Sequence, residues 1–264
     1  MLQQPVRCML VAVFDFKTDT KMATLRSLYL LIVSLLFVSL TMAPASAADF
    51  WAKKPYQNWS ADETDRMLQE SPWATTLTLG GFQTNITSGD ASSNASYRGE
   101  METNPSITYN LQFRSARPIR EAQVRSSQLS SHYDAMSAEK KAAFDASAAK
   151  FLAVAFPDRV VVSVTFHSNV LNFESMLRNY WASQSLAKLS MSTYLHTNTE
   201  RLSLMSYAFT GDTFQFTFPR PKQVRPDEKI AVEFIHPRIN VIGKQRIFQE
   251  FSLKKMLVDG ELVF

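Results

Sequence analysis

Histidine is the side chain in this sequence best suited to proton transfer or metal binding, because its ordinary pKa lies near neutrality. The chain has four histidines, and they are far apart in the sequence. His132 lies in a serine-rich stretch that is typical of a solvated surface. His167 and His236 are predicted at strand ends, where hydrogen bonding to a loop is commoner than catalysis. A hydrolase-like enzyme would need at least two suitable groups in one pocket.

His196 begins the most suggestive segment, HTNTE, because alternate residues of a strand share one face. The His196 imidazole, the Asn198 amide and the Glu200 carboxylate could then lie side by side on one face of the strand. The segment lacks a second histidine at the spacing of metal ligands, and Asn198 and Glu200 fall where a turn is expected. We therefore predict no metal site and no cofactor, and retain three candidate catalytic residues: His167, His196 and His236.

A second candidate site is an aromatic and basic segment around residue 60. Its members are Trp51, Lys53, Lys54, Tyr56, Trp59 and Trp73. Such residues can contact a membrane surface, a glycan or a protein partner. They can also pin an N-terminal arm to a sheet, with the rings packed and the lysines in water. The second interpretation is favoured, because residues 60–63 form a capping box that fixes the start of a helix.

The same segment resembles the start of a group of uncharacterised exported bacterial proteins. The resemblance rests on the pattern WxKKxYxxWSxxE, which begins at Trp51, and on SPWA, which ends at Ala74. It covers residues 51–74 directly. The resemblance implies bacterial export and a shared fold, and it implies no activity for any residue.

The elements that must position these residues begin after a predicted signal peptide. Lys21 and Arg26 form a short positive region, and residues 28–42 form an apolar core. That core suits a signal sequence, which needs about 7 to 15 apolar residues, better than a membrane span, which needs roughly 20. An uncleaved anchor and a buried core helix are the alternatives.

Small residues follow the apolar core and predict a cleavage site after Ala47. Ala45 and Ala47 lie before the cleaved bond and Ala48 after it. The true start of translation is expected at Met22, since the residues before it lengthen the segment beyond ordinary signal size. We therefore expect an exported protein, either periplasmic or secreted, which meets a membrane through its signal peptide and at most weakly through its surface.

Cleavage would leave residues 48–264 without cysteine, since the one cysteine of the chain is Cys8. Disulfides, thiolate metal sites and cysteine nucleophiles are then excluded. The leader carries four basic and two acidic residues, so the net charge of +4 falls to +2. A charge this near neutral argues against a nucleic-acid partner.

Hydrophobic periodicity predicts the order of elements in the first part of residues 48–264. A helix begins at Ser60, and strands are expected at residues 76–82 and 107–114. The polar residues 83–106 between these strands predict a long mobile loop, which is either a lid over a ligand or simply disordered. A helix follows the cap Ser137, and its face includes the apolar side chains Phe144, Ala148, Phe151, Leu152 and Ala155.

The rest of the chain predicts a strand, one more helix and then several strands. The strand covers residues 160–167 and the helix residues 173–181. The later strands are expected at residues 192–196, 202–209, 213–218, 230–236 and 246–253. Consecutive hairpins of this kind predict an α+β fold in a single domain, with a mainly antiparallel sheet and helices packed on one face.

Three functions remain open from these observations. The preferred one is a non-enzymatic exported module that binds an unknown ligand or protein partner. The hydrolase-like alternative uses a strand-end histidine, although no HExxH, GxSxG, P-loop or GxGxxG motif occurs. The third is a peripheral membrane-surface protein held by the aromatic and basic segment.

Overall fold

The computed structural model describes residues 50–80 and 104–264. The predicted signal peptide, with Ala45, Ala47 and Ala48, lies outside the described residues, and so does most of the predicted loop at 83–106. Within the described ranges, no helix is long and apolar enough to cross a membrane.

Six α-helices occur in the described part of the chain. They are α1 (Phe50–Lys53), α2 (Ala61–Gln69), α3 (Arg117–Ser130), α4 (Ala138–Ala153), α5 (Leu171–Ala182) and α6 (Leu186–Leu189). The capping box before α2 is formed, since the Ser60 hydroxyl accepts from the Glu63 N–H at 3.2 Å and the Glu63 carboxylate accepts from the Ser60 N–H at 2.8 Å. These two bonds satisfy backbone N–H groups that the helix leaves free, which explains why α2 begins there.

The strands pair antiparallel throughout the described residues. They are β1 (Ala74–Gly80), β2 (Ser106–Phe113), β3 (Arg159–Ser168), β4 (Tyr194–His196), β5 (Arg201–Ser203), β6 (Ser206–Thr210), β7 (Thr213–Pro219), β8 (Lys229–His236), β9 (Gln245–Ser252), β10 (Leu257–Val258) and β11 (Glu261–Leu262). One sheet has the order β1-β2-β3-β7-β6, a second has β5-β4-β8-β9, and β10 pairs with β11. The α+β class is therefore confirmed. The sequence pattern does not indicate which strand belongs to which of these sheets.

The two larger sheets share an aromatic core. Phe214 and Phe216 on β7 each have their ring centre 5.9 Å from that of Phe234 on β8. Phe113 on β2 meets Phe251 on β9 at 4.9 Å. These rings are buried, and their alternation along each strand leaves the polar residues between them on the opposite face.

The helices α2 and α3 lie over the polar face of β2. The carbonyl of Leu68, in α2, accepts hydrogen bonds from the Asn110 and Gln112 side chains at 3.0 and 2.8 Å. Gln123 in α3 donates to the Gln112 side chain at 3.3 Å. α5 is placed differently, because its Trp181 ring stacks on Phe214 of the aromatic core at 3.9 Å.

Candidate functional site

Each of the three candidate catalytic histidines has a different partner. His167 contacts the Glu174 carboxylate and is largely exposed. His196 contacts Glu233 at 2.5 Å, and His236 contacts the Tyr109 hydroxyl at 2.8 Å. The structure therefore does not bring these histidines together, and none of them lines any of the three clefts described below.

The environment of His196 is a charged network on the outer face of the four-stranded sheet. One Glu233 oxygen accepts from His196, and the other accepts from Arg246 at 2.7 Å. Burial by itself would raise the pKa of Glu233, but the hydrogen bonds from Arg246 and His196 outweigh it, and the pKa is lowered. A carboxylate that orients an imidazole is part of many catalytic sites, but here both sit on a sheet face and outside the clefts.

Asn198 and Glu200 do not extend this network. The Glu200 carbonyl accepts from the Thr197 N–H at 2.9 Å, and its carboxylate accepts from the Lys222 N–H at 3.0 Å. The segment thus turns back to β5, and the carboxylate beside His196 comes from β8. Among the described residues, no three histidine, cysteine or acidic side chains are placed to hold a metal ion.

The aromatic and basic segment divides into buried and exposed members. Trp59 and Trp73 are buried, and the indole N–H of Trp73 donates to the Val263 carbonyl at 2.5 Å. Lys54 forms an ion pair with Glu63 at 2.7 Å. Trp51, Lys53, Lys54 and Tyr56 keep part of their surface in solvent, so a surface-contact function rests on these four residues.

The helix α4 lies on the surface of the described structure. None of its residues is buried. Its C-terminal end is held by Arg120, whose Nη1 donates to the carbonyls of Phe151, Leu152 and Val154 at 3.2, 3.0 and 2.7 Å. Its middle is tied to the preceding turn, because the Tyr133 hydroxyl lies 2.9 and 2.8 Å from the two carboxylate oxygens of Asp145. α4 is thereby fixed along its length while a cleft remains on each side.

The first of these clefts, here called the Arg114 cleft, has a volume of about 520 Å³. Its lining is Leu68, Arg114, Gln123, Val124, Ser126, Ser127, Phe144, Ser147, Ala148 and Phe151. The apolar walls come from α2, α3 and α4. Phe144, Ala148 and Phe151 belong to the helix face that periodicity predicts, and they line the cleft without being fully buried.

Arg114 is the charged group of this cleft. Its guanidinium carbon lies 6.0 Å from the centre of the Phe151 ring. Burial lowers the pKa of Arg114, and the guanidinium makes no hydrogen bond or ion pair with any described residue. A buried Gln123 side-chain oxygen in the same lining also has no partner within the described ranges. The cleft therefore combines an unpaired cation with apolar walls.

The second cleft, here called the Tyr133 cleft, lies on the other side of α4 and has a volume of about 540 Å³. Its lining is polar and includes Tyr56, Arg125, Gln128, Tyr133 and Asp145. A third, smaller cleft of about 290 Å³ is lined by residues that include Gly80, Pro105 and Ile242. Ala148 of α4 lines both the Arg114 cleft and the Tyr133 cleft.

Sequence reasoning missed Arg114. It is the last residue of the strand predicted at 107–114, and its residue type does not distinguish it from Arg117 or Arg120. What sets it apart is the absence of an acceptor among the described residues, which depends on the packing of α2, α3 and α4. The one usable signal was the apolar face of α4, which indicates a surface but not a cavity.

Comparison with known proteins does not identify this site. No family model matches the chain, and no curated protein matches it. A solved structure of a protein of unknown function from Burkholderia pseudomallei is similar over 53% of this chain and 73% of its own, at 13% identity and a TM-score of 0.34. A likeness this low carries no argument about the present chain.

Proposed function

We propose that this protein is a non-enzymatic binding module that holds an amphipathic organic anion in the Arg114 cleft. Arg114 pairs with the anionic head, and the apolar part of the ligand packs against Val124, Phe144 and Phe151. A medium-chain carboxylate is the simplest molecule with both properties.

The unpaired Arg114 guanidinium carries this proposal. The Arg114 side chain is half-buried, and proteins normally compensate a cation that is partly removed from water with an opposite charge. Since no described residue supplies one, a ligand anion would fill that position. Arginine suits a carboxylate because its planar fork can donate two parallel hydrogen bonds.

The size and lining of the cleft support a small ligand. Its volume of about 520 Å³ falls within the roughly 300 to 1,000 Å³ of typical ligand pockets. Such pockets are mainly apolar and carry a few polar groups that fix the orientation of the ligand. Arg114 is the group here that would fix the orientation of a carboxylate.

Calorimetric titration with sodium octanoate and with neutral octanamide tests the proposal. We expect octanoate to bind and octanamide to bind at least about tenfold more weakly, because the amide lacks the charge that Arg114 requires. Arg114→Gln should remove this preference. Arg238→Gln is the matched control, since it removes an equal charge from an exposed position outside the three clefts. Equal affinity for the two probes, or unchanged octanoate binding in Arg114→Gln, would overturn the proposal.

Export is the second part of the proposal. It is supported by the positive region, the apolar residues 28–42 and the small residues around Ala47. N-terminal sequencing of the protein recovered from a secreting bacterial host should begin at Ala48. A product that keeps residues 28–42 would contradict cleavage, and a precursor that begins before Met22 would contradict the predicted start.

A further inference from the structure

We propose that the Tyr133 cleft is a second, independent binding site, and that it takes a neutral saccharide. The inference rests on the charge balance, the aromatic surface and the free polar groups of this cleft, which differ from those of the Arg114 cleft.

The lining of the Tyr133 cleft carries charged side chains of both signs. Two basic residues, Arg117 and Arg125, face two acidic residues, Asp134 and Asp145. Arg117 is also paired with Glu121 at 2.8 Å. An anion in this cleft would approach the carboxylates, and a cation would approach the guanidinium groups, so a neutral ligand is favoured.

Two tyrosine rings supply an apolar surface of the kind that a sugar ring can contact. Tyr56 and Tyr133 are both half-buried. Tyr133 has an edge contact with Phe144 at 5.4 Å between ring centres, and Lys141, which is outside the cleft lining, covers one face of its ring. The face of an aromatic ring is negative, and the C–H bonds of a pyranose ring point weakly positive hydrogens toward it. The arrangement therefore favours a ring with one apolar face.

The polar groups of the cleft are suited to hydroxyl groups. Gln128 is only 6% exposed. Its side-chain oxygen accepts from Arg125 at 3.3 Å, and its NH₂ group has no partner among the described residues. Asp145 accepts from Tyr133 through both oxygens and still has capacity to accept more. A sugar hydroxyl both donates and accepts, so one hydroxyl pair can bond to Gln128 and Asp145 together.

The donors and acceptors are fixed before a ligand arrives. Arg125 donates to the Trp59 carbonyl at 2.8 Å, which ties its guanidinium to a buried residue of the core. Gln128 is in turn held by Arg125, and Asp145 by Tyr133. Preorganisation of this kind reduces the entropy that binding loses, which matters most for weakly binding polar ligands.

Saturation-transfer NMR of the full chain with maltotriose, cellotriose and chitotriose tests the inference. We expect at least one trisaccharide to bind, with a dissociation constant on the order of millimolar. Asp145→Ala should weaken that binding by about tenfold or more, because it removes the acceptor and releases Tyr133. Glu139→Ala is the matched control, since it removes an exposed carboxylate from the same helix outside the cleft. Asp145 is itself exposed, but its contact with Tyr133 helps to position α4, so Gln128→Leu, which leaves that contact in place, is measured alongside it.

Three results would overturn the inference. The first is the absence of saturation transfer to all three trisaccharides. The second is trisaccharide binding that Asp145→Ala and Gln128→Leu both leave unchanged, which would locate it elsewhere. The third is preferential binding of adenosine monophosphate, a charged ligand with an aromatic ring, in competition with the trisaccharides. None of these results bears on octanoate binding, so the two proposals can fail separately.

Discussion

The two clefts beside α4 share a wall and differ in chemistry. The Arg114 cleft has apolar walls and one unpaired cation, whereas the Tyr133 cleft has polar walls with balanced charges. Ala148 lines both clefts, so one helix face separates the two environments. The difference arises because the side of α4 toward Phe151 meets apolar residues of α2 and α3, while the side toward Asp145 meets Tyr133 and the polar end of α3.

The helix between the two clefts, α4, has no buried residue and is nevertheless held in a defined position. Hydrophobic burial, the usual source of helix packing energy, contributes little to α4. Its position depends instead on hydrogen bonds from Arg120 at one end and on the contact between Tyr133 and Asp145 near the middle. Both proposed sites therefore depend on a few polar contacts. Substitutions at these contacts test how each cleft is maintained.

Removal of Arg120 should have the largest effect, because it affects both clefts. Arg120 is buried and donates to three carbonyls at the end of α4. We expect Arg120→Met to lower the free energy of unfolding by about 4 kcal/mol, since the carbonyls lose a charged donor. Urea denaturation measures the loss, and limited proteolysis should show cleavage within α4. Arg238→Met is the control on the exposed surface. A native urea midpoint in Arg120→Met would show that α4 is held by its apolar face.

Acid should weaken the sheets that support both clefts. Burial lowers the pKa of His236 from its ordinary 6.5 to about 4. The unfolded chain therefore binds this proton more readily than the folded chain, so stability is fully present above about pH 6.5 and is lost as pH falls toward 4. The expected loss is about 3 kcal/mol. Urea midpoints measured between pH 7.5 and pH 4.5, values chosen to bracket the ordinary pKa, test this expectation.

His236→Gln keeps a polar partner for Tyr109 and should flatten that pH dependence. His132→Asn is the matched control, because His132 is exposed and has a positive φ of 52° that asparagine tolerates. If His236→Gln keeps the slope, another group is responsible. Glu233 would not account for such a slope, since its lowered pKa removes stability only below its ordinary range near 4.5.

Helices and strands of this protein can be predicted from the sequence, but the clefts between them cannot. The capping box at Ser60, the cap at Ser137 and the alternation of Phe214, Phe216 and Phe218 depend on near neighbours, so local rules locate them. Periodicity also marked the apolar face of α4. It could not show that this face is only half-buried, because the depth of burial depends on how α2 and α3 pack beneath it.

The candidate residues show the same limit. His196 was singled out beside Glu200, but its carboxylate is Glu233, which is 37 residues away in the sequence. The pairing of β4 with β8 creates that contact, and no local pattern encodes it. Arg114 is distinguished by a partner that is missing among the described residues, which no sequence motif can indicate.

Filling the shared wall should block both sites with little cost to the fold. Ala148→Phe places a bulky ring in the lining of both clefts. Because Ala148 is only half-buried, the ring can project into open space without displacing core residues. We expect octanoate binding, measured by calorimetry, and trisaccharide binding, measured by NMR, each to weaken by more than about tenfold. Ala146→Phe adds the same ring on the exposed side of α4 and should leave both affinities unchanged.

The smallest expected effect is the one that best separates the two clefts. Arg114→Gln should leave trisaccharide affinity within about threefold, and Gln128→Leu, which removes no contact that holds α4, should do the same for octanoate, since residues without shared partners act additively. Measurement of both ligands on both variants and on the double variant gives a coupling energy, which we expect to be about zero within 0.5 kcal/mol. A larger value would mean that α4 shifts when either cleft is filled, so the clefts would be two openings of one movable site.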